Sequence, residues 1–187
     1  MRETNPRLPS ELLRLFQATG RDLSDAGLVS SNSGNMSLRR AGSIVITRHD
    51  SALGRLEESD LVEVARGVSS HPLASVELVV HQAIYEATPA LAVVHAHPPG
   101  AIALSLALNR IDSLDSVVGT VPIIEAEAIS GSDALAVAMR HALCDHQIAV
   151  VRGHGSFAIG ETLAEAYELT LRLEETCRGL VASGRRV

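Results

Sequence analysis

Apolar positions along the chain follow two spacings, one typical of amphipathic helices and one typical of buried strands. Between Leu12 and Leu23 they recur at helical spacing, which predicts a helix from Ser10 to about Ala26, with Gly27 to end it. The same spacing predicts four further helices, three of them with Ser75, Ser132 or Thr162 as a cap. Their ranges are about 75–87, 101–108, 132–143 and 162–182.

Short runs rich in β-branched residues predict strands at 36–38, 43–47, 90–97, 117–124 and 148–151. A turn at residues 40–42 joins the first two, so this pair is expected to be antiparallel. The stretch from His49 to Arg66 carries loop signals and acidic residues typical of the start of a short helix. Helices and strands therefore alternate loosely, which predicts an α/β or α+β class with a mixed central sheet.

The run from Ala90 to His97 brings two histidines to the end of a predicted strand. Residues two apart on a strand point to the same side, so His95 and His97 project together. Pro98 follows at once and ends the strand. The pattern indicates either half of a metal site or a pair of hydrogen-bonded histidines.

A third histidine, His154, follows the predicted strand at 148–151. It stands between Gly153 and Gly155, which let the backbone bend closely and leave the imidazole unobstructed. Three imidazoles on one divalent ion leave a coordination position open, as in catalytic zinc sites. An ion held in this way polarises a bound hydroxyl or carbonyl oxygen.

Glu77 lies in the first turn of the helix predicted at 75–87, among apolar neighbours. One interpretation is a carboxylate that stabilises the helix dipole. The other is a partly desolvated general acid/base whose pKa is raised toward neutrality. His81 lies four residues further on the same helix face and is expected to support the site or pack in the core.

Composition narrows the classes of function. At 187 residues and 46% hydrophobic content, the chain is expected to form a single domain over 1–187. A net charge of −6 argues against a nucleic-acid partner, and no apolar run is long enough for a membrane span. All 16 basic residues are Arg, which excludes a lysine Schiff base and a lysine-bearing phosphate loop.

Two cysteines, Cys144 and Cys177, form no motif, and free thiols fit a cytoplasmic protein. The residues Met1 to Pro6 lack the apolar segment of a signal peptide. A cytoplasmic location is therefore expected.

Several short segments, taken in order, resemble the class II aldolase/adducin family, most closely its L-fuculose-1-phosphate aldolase branch. The resemblance runs from about Leu12 to Arg178 and depends on the order and spacing of the segments. They are Ser33-Gly34-Asn35-Met36-Ser37, Ser75-Val76-Glu77 with His81 and Tyr85, His95-Ala96-His97-Pro98, and Gly153-His154-Gly155.

This resemblance implies a three-layer α/β/α sandwich with a mixed, mostly antiparallel central sheet. It also implies Zn²⁺, or another divalent ion such as Mn²⁺ or Co²⁺, bound by His95, His97 and His154. Glu77 matches the family's acid/base carboxylate, and four subunits would form a homotetramer with active sites between them. The implied reaction is retro-aldol cleavage of a small, phosphorylated ketose through an enediolate whose charge the metal stabilises.

The residues expected to bind phosphate match the family only in part. Gly34, Asn35 and Ser75 match its phosphate-binding positions, but Val76 replaces a second serine. A Thr-Gly pair is replaced by His49-Asp50. Asp50 would repel a phosphate, whereas Arg48 and a protonated His49 could bind one. A surface role for Arg48, and a carboxylate-bearing or other substrate, stay open.

A family tyrosine at the aldehyde end is replaced by Glu127, which is the candidate residue there. The related 4-epimerases generally carry Asp at the position of Glu77, which favours an aldolase. Decarboxylation, dehydration or epimerisation of a related sugar or sugar acid stays an alternative, as does a non-catalytic adducin-like scaffold. The residues from His141 to His146 include two histidines, a cysteine and an aspartate, but are expected to be solvated and not to bind metal.

Overall fold

The computed structural model describes residues 8–112, 118–125 and 130–183. Five α-helices and eight β-strands lie in these ranges. The helices are α1 (Ser10–Asp25), α2 (Leu78–Ala87), α3 (Pro99–Ser105), α4 (Asp133–Asp145) and α5 (Leu163–Ala182). The strands are β1 (Asn35–Arg39), β2 (Ser43–Thr47), β3 (Leu61–Ala65), β4 (Ala92–Ala96), β5 (Arg110–Asp112), β6 (Thr120–Ile124), β7 (Ile148–Val151) and β8 (Gly155–Gly160).

The strands form one sheet in the order β3-β2-β1-β4-β8-β7-β6-β5. Each neighbouring pair is antiparallel except β6 and β7, which are parallel. The register places Asn35 of β1 and Phe157 of β8 on either side of His95 in β4. Three distant parts of the sequence therefore meet in one row across the centre of the sheet.

Apolar side chains cover both faces of the sheet, as the alternation of strand residues requires. On one face Val94 belongs to a core that includes Phe16 of α1, Ala101 of α3 and Leu173 of α5. On the other face Val93 packs in a second core with residues of α2 and α4. The result is the expected three-layer α/β/α arrangement with a mixed, mostly antiparallel sheet.

Several local predictions need correction. Residues 61–65 form strand β3, where loop and helical structure was expected, because Leu61, Val62 and Val64 are buried against neighbouring elements. Strands β5 and β8 were not predicted at all. Ser75 lies ahead of α2, which begins only at Leu78. None of the described helices has the length and apolar character needed to cross a membrane.

Candidate metal centre and active-site cleft

His95 and His97 lie side by side at the end of β4, as the strand alternation predicts. Their Nε2 atoms are 3.0 Å apart. His97 follows the last residue of β4, and its backbone N–H donates to the carbonyl of Leu28 at 2.7 Å. This hydrogen bond fixes the chain where it leaves the sheet, so the second imidazole stays beside the first.

His154 reaches the same point from the tight turn between β7 and β8. Its Nε2 lies 3.2 Å from Nε2 of His95, although the two residues are 59 apart in sequence. Gly153 takes a φ of +69°, a conformation that favours glycine. At Gly155 a Cβ would lie 2.4 Å from the carbonyl oxygen of Ala96 and 2.8 Å from the His97 ring, so only glycine allows this approach. Both flanking glycines are thus required by the geometry of the turn.

The donor set of these three histidines fits a divalent metal ion. Nδ1 of His95 lies 3.0 Å from the carbonyl oxygen of Ser156, so this nitrogen carries the proton and Nε2 presents its lone pair to the cluster. A tetrahedral ion with Zn–N bonds of about 2.0–2.1 Å sets its ligand nitrogens about 3.4 Å apart. The two separations of 3.0 and 3.2 Å are close to that value.

The ionisation of the imidazoles also suits a metal site. Burial lowers the pKa of His97 to about 4, with further lowering from the neighbouring histidines. Burial lowers the pKa of His95 as well. Both rings are therefore neutral near pH 7, which is the form that binds metal ions. Within the described part of the chain, His95, His97 and His154 are the only group of this kind with ligand atoms so close together.

Glu77 lies directly beside the histidines and is 2% exposed. It precedes α2, but its side chain makes no hydrogen bond to the helix N-terminus. Instead, Oε2 accepts a hydrogen bond from Nδ2 of Asn35 at 3.1 Å and lies 3.5 Å from Nε2 of His95. Oε1 accepts one from Oγ of Ser130 at 3.3 Å and lies 3.6 Å from Nε2 of His154. These contacts support a role in the site over a role in the helix dipole.

The ionisation of Glu77 differs from the sequence-based expectation. Burial alone would raise the pKa of this carboxyl group, but His95 and hydrogen bonds from His154 and Asn35 lower it to about 2. The expected rise toward neutrality is therefore wrong for this arrangement. The carboxylate is ionised at neutral pH and is able to accept a proton.

The cleft above these groups gathers most of the residues predicted to bind phosphate. Its wall includes Gly34, Asn35, Ser75, Arg48, His49, Asp50 and Val76 together with the histidines and Glu77. Nε2 of His49 lies 3.2 Å from Oδ2 of Asp50, so the acidic group faces a histidine. Asp50 has a φ of +61°, a left-handed conformation that favours glycine. Asp50 stands where the family resemblance implies the glycine of a Thr-Gly pair. Glu127 lies outside the described residues.

Sequence reasoning missed Ser130 as a member of the cleft. It lies 53 residues from Glu77 in the chain, and only folding brings its hydroxyl to the carboxylate. The sole local signal is the Ser-Gly-Ser sequence ahead of α4, which indicates a helix cap at Ser132. Ser132 does accept the hydrogen bond from the backbone N–H of Leu135.

His81 is not a member of the group of possible metal ligands, and its ring pairs with β1 instead. Its ring is fully buried, and Nδ1 lies 2.7 Å from Oγ of Ser37. Tyr85, one turn further along α2, donates to the carbonyl of Ser37 at 2.9 Å. These bonds join α2 to β1 next to Asn35. Burial lowers the pKa of His81 to about 3, so its ring is neutral.

Comparison with known proteins connects this geometry to a family. The sequence model described as "Class II Aldolase and Adducin N-terminal domain" matches residues 14–181. Methylthioribulose-1-phosphate dehydratase from Acidiphilium cryptum is 32% identical over 177 residues, covering 82% of each chain. The 3-oxo-tetronate 4-phosphate decarboxylase from Escherichia coli is 29% identical over 200 residues, covering all of this chain and 88% of the relative.

Two further comparisons concern chain length and fold. A probable bifunctional methylthioribose-1-phosphate isomerase/methylthioribulose-1-phosphate dehydratase from Nocardia farcinica is 30% identical, and this chain spans only 35% of its length. The crystal structure of L-fuculose-1-phosphate aldolase from Thermus thermophilus superposes with a TM-score of 0.90 at 37% identity. That superposition covers 94% of this chain and 95% of the other.

Proposed function

This chain belongs to the class II aldolase and adducin family, and we propose that it is a metal-dependent aldolase acting on a small, phosphorylated ketose. The reaction would be retro-aldol cleavage of a carbon–carbon bond. The single observation that carries the proposal is the position of the Glu77 carboxylate, 3.5 Å from Nε2 of His95 and 3.6 Å from Nε2 of His154. A buried carboxylate beside three converging imidazoles is the arrangement that acid/base chemistry at a metal ion requires, and it favours an enzyme over a non-catalytic scaffold.

Each group in the cleft has a distinct task in this proposal. A divalent ion held by His95, His97 and His154 would supply positive charge that polarises the substrate's oxygen atoms. Glu77 accepts the proton from the substrate hydroxyl as the carbon–carbon bond breaks, and returns a proton to the carbon fragment that carries the negative charge. Because a different donor holds each oxygen of Glu77, the carboxylate stays oriented toward the histidines.

The anionic end of the substrate would lie against Arg48. The structure gives this exposed guanidinium no polar partner among the described residues, whereas His49 is paired with Asp50. Arginine matches the geometry of a phosphate group and keeps its charge at all working pH values. Gly34, Asn35 and Ser75 line the same cleft and complete the proposed phosphate-binding wall.

We propose Zn²⁺ as the ion, with Mn²⁺ or Co²⁺ as alternatives, because a set of three imidazole ligands suits zinc. The family resemblance supports a homotetramer, and light scattering on the purified protein would test it.

A cytoplasmic location fits the two free cysteines, Cys144 and Cys177. Glu127 is proposed to act at the aldehyde end of the substrate.

A screen of phosphorylated and free ketoses tests the activity. The purified protein is loaded with Zn²⁺, its metal content is measured on the same sample, and aldehyde release is followed. We expect stoichiometric metal and turnover of at least one phosphorylated ketose. Full metal occupancy without cleavage of any ketose would contradict the aldolase assignment.

A second candidate is decarboxylation or dehydration of a phosphorylated keto sugar or sugar acid, favoured by the names of the two relatives above. These reactions would use the same histidines and the same carboxylate. The screen therefore includes a 3-oxo-tetronate 4-phosphate, with release of carbon dioxide as the measured product, and methylthioribulose 1-phosphate, with loss of water. Turnover of either compound, and of no ketose by cleavage, would select this second candidate.

A further inference from the structure

Helix α3 lies between His97 and the turn that carries His154, two of the three histidines of the cluster. It begins at Pro99, two residues after His97, and its C-terminal end lies against the turn that carries His154. The helix has only seven residues. So short a helix has little stability of its own, and its ends must be held by other parts of the protein.

At the N-terminus of α3, Glu174 of α5 accepts the free backbone N–H groups. Pro99 has no N–H, and the N–H of Ile102 already donates to the carbonyl of Pro98. The two that remain, on Gly100 and Ala101, both donate to the Glu174 carboxylate at 2.8–3.2 Å. Glu174 is 2% exposed, so these are buried, charge-assisted hydrogen bonds at the positive end of a helix dipole.

Gly100 allows this close approach. A Cβ at that position would lie 3.0 Å from Oε2 of Glu174 and 3.1 Å from Cβ of Cys177. On its outer side the carboxylate receives Nε of Arg178 at 2.8 Å. The hydrogen bonds of Glu174 therefore go to the start of α3 and to Arg178. None of them goes to the proposed acid/base residue, Glu77.

At the C-terminus of α3, Arg152 binds the carbonyl of the last helical residue, Ser105, and a carbonyl of the loop that follows. Its Nη1 donates to the carbonyl of Ser105 and, at 2.8 Å, to that of Leu108. Nη2 donates to Oδ1 of Asn109 at 3.1 Å. Its Nε pairs with Glu125, but that partner is 76% exposed and adds little.

The same arginine stands two residues before His154. The backbone N–H of Gly153, between them, donates to Oγ of the buried Ser105 at 2.9 Å. The turn is thus bound to α3 by both a side chain and a backbone group. The backbone of Arg152 itself is held by the sheet, because its N–H donates to the carbonyl of Ile124 in β6 at 2.9 Å.

We propose that Glu174 and Arg152 are positioning residues for the histidine cluster, because they cap opposite ends of α3 and so fix His97 relative to His154. This inference rests on the proposed metal-binding function of those histidines. Neither residue contacts the cleft, so each acts through the backbone of α3 and of the β7–β8 turn.

Metal affinity tests this role without any assay of turnover. The dissociation constant for Zn²⁺ is measured by competition with a chelator, and the Co²⁺ absorption spectrum reports the ligand geometry. Groups that orient metal ligands typically change affinity about 10- to 100-fold when removed. We expect a loss of that size for Arg152→Met and for Glu174→Gln, with an altered Co²⁺ spectrum. Arg152→Lys keeps the charge but not the planar fork, and we expect an intermediate affinity.

Two exposed residues provide matched controls. Arg140 of α4 and Glu168 of α5 each form a surface ion pair away from the cluster, so Arg140→Met and Glu168→Gln should keep the metal affinity within twofold. Thermal unfolding of the metal-free variants separates positioning from stability, because a purely structural effect lowers Tm and leaves the affinity and spectrum of the folded protein unchanged. If Arg152→Met does not fold, Arg152→Lys and Glu174→Gln decide the question.

The outcomes distinguish this inference from the proposed function. Suppose that the parent protein binds Zn²⁺ tightly and that His95→Ala does not. Parent-like affinity and spectrum in the Arg152 and Glu174 variants would then overturn this inference and leave the proposed function standing. Absence of binding to the parent protein would overturn the proposed function and the inference with it.

Discussion

Each oxygen of the Glu77 carboxylate has its own hydrogen-bond donor and its own neighbouring imidazole. Asn35 and His95 lie beside Oε2, whereas Ser130 and His154 lie beside Oε1. A carboxylate held in this way cannot turn toward the N-terminus of α2 without losing these contacts. At the scale of single residues, its position rather than a raised pKa suits it to proton transfer.

The substitution Glu77→Gln tests this role with little change of shape. Within the described part of the chain, Oδ1 of Asn35 has no hydrogen-bond partner, so an amide flip of Asn35 can still pair with the new side chain. We expect kcat to fall about 10²- to 10⁴-fold, the range typical of lost general acid/base catalysis, with metal content unchanged. Glu86→Gln, at an exposed position of the same helix, is the control. Undiminished turnover in Glu77→Gln would exclude the acid/base role.

Arg48 tests the proposed contact with phosphate. A hydrogen bond between charged groups contributes about 1.5–3 kcal/mol, so Arg48→Ala should raise KM for a phosphorylated substrate by roughly 10- to 100-fold. Unphosphorylated analogues should show no change. Arg14→Ala, at an exposed position on α1, should leave KM unaffected for both. An equal rise in KM for both kinds of substrate would show that Arg48 acts on something other than phosphate.

Gly155 tests the close approach of the β7–β8 turn to β4. Its replacement by alanine would force a Cβ to within 2.4 Å of the Ala96 carbonyl oxygen, and we expect a loss of about 1–3 kcal/mol in the free energy of unfolding. Metal affinity should fall too, because the imidazoles of His95 and His97 must move.

Gly179→Ala is the opposite case, since Gly179 lies within α5 and nothing lies within 4 Å of a Cβ at that position. It should stabilise the protein by about 0.5–1 kcal/mol in chemical denaturation. Equal effects of the two substitutions would contradict the packing argument.

At the scale of elements, the sequence was informative where a pattern is local. The alternation in β4 predicted that His95 and His97 lie together, since two-residue periodicity depends on the strand alone. Strand β3 was missed because the acidic residues before it form a short 3₁₀ helix, Glu58–Asp60, that resembles a helix start. Strand β8 was missed because glycine stands at both of its ends. The hydroxyl of Ser130 could not be assigned to Glu77, because no local pattern encodes a contact across 53 residues.

The junction of α2 with β1 makes stability depend on pH. Because burial lowers the pKa of His81 from 6.5 to about 3, the unfolded chain binds a proton there at a higher pH than the folded chain. The His81 contribution is fully present above about pH 6.5 and is lost as the pH falls toward 3, by up to about 1.4 kcal/mol per pH unit. We expect His81→Asn, whose amide can still pair with Ser37, to have a shallower loss of stability with acid.

Denaturation of metal-free protein at a series of pH values from 7 to 4 measures this difference. His141→Asn is the control, because that histidine is exposed in the folded chain and its replacement should leave the slope unchanged. A slope in His81→Asn equal to that of the parent protein would show that other groups carry the acid sensitivity.

At the scale of the whole molecule, the candidate site exists only in the folded chain. Its imidazoles come from β4 and the β7–β8 turn, its carboxylate precedes α2, and its proposed anion-binding wall lies at the ends of β1 and β2. In the tautomers that bind a metal ion, the Nε2 lone pairs of His95 and of its two neighbours point toward one another at separations of 3.0 and 3.2 Å, and they repel. A bound cation removes that repulsion, so metal binding and folding should be coupled.

Removal and return of the metal measure this coupling. A ligand that binds only the folded state at 1,000 times its dissociation constant stabilises it by about 4 kcal/mol, which for a chain of this size raises Tm by roughly 8–16 °C. We therefore expect Zn²⁺ to raise the Tm of chelator-treated protein by that amount, and to leave His95→Ala unchanged. His141→Ala, whose histidine is exposed on α4, should respond as the parent protein does. A full Zn²⁺ response in His95→Ala would place the stabilising ion elsewhere, because the central imidazole of the cluster, within 3.2 Å of both others, would then be dispensable.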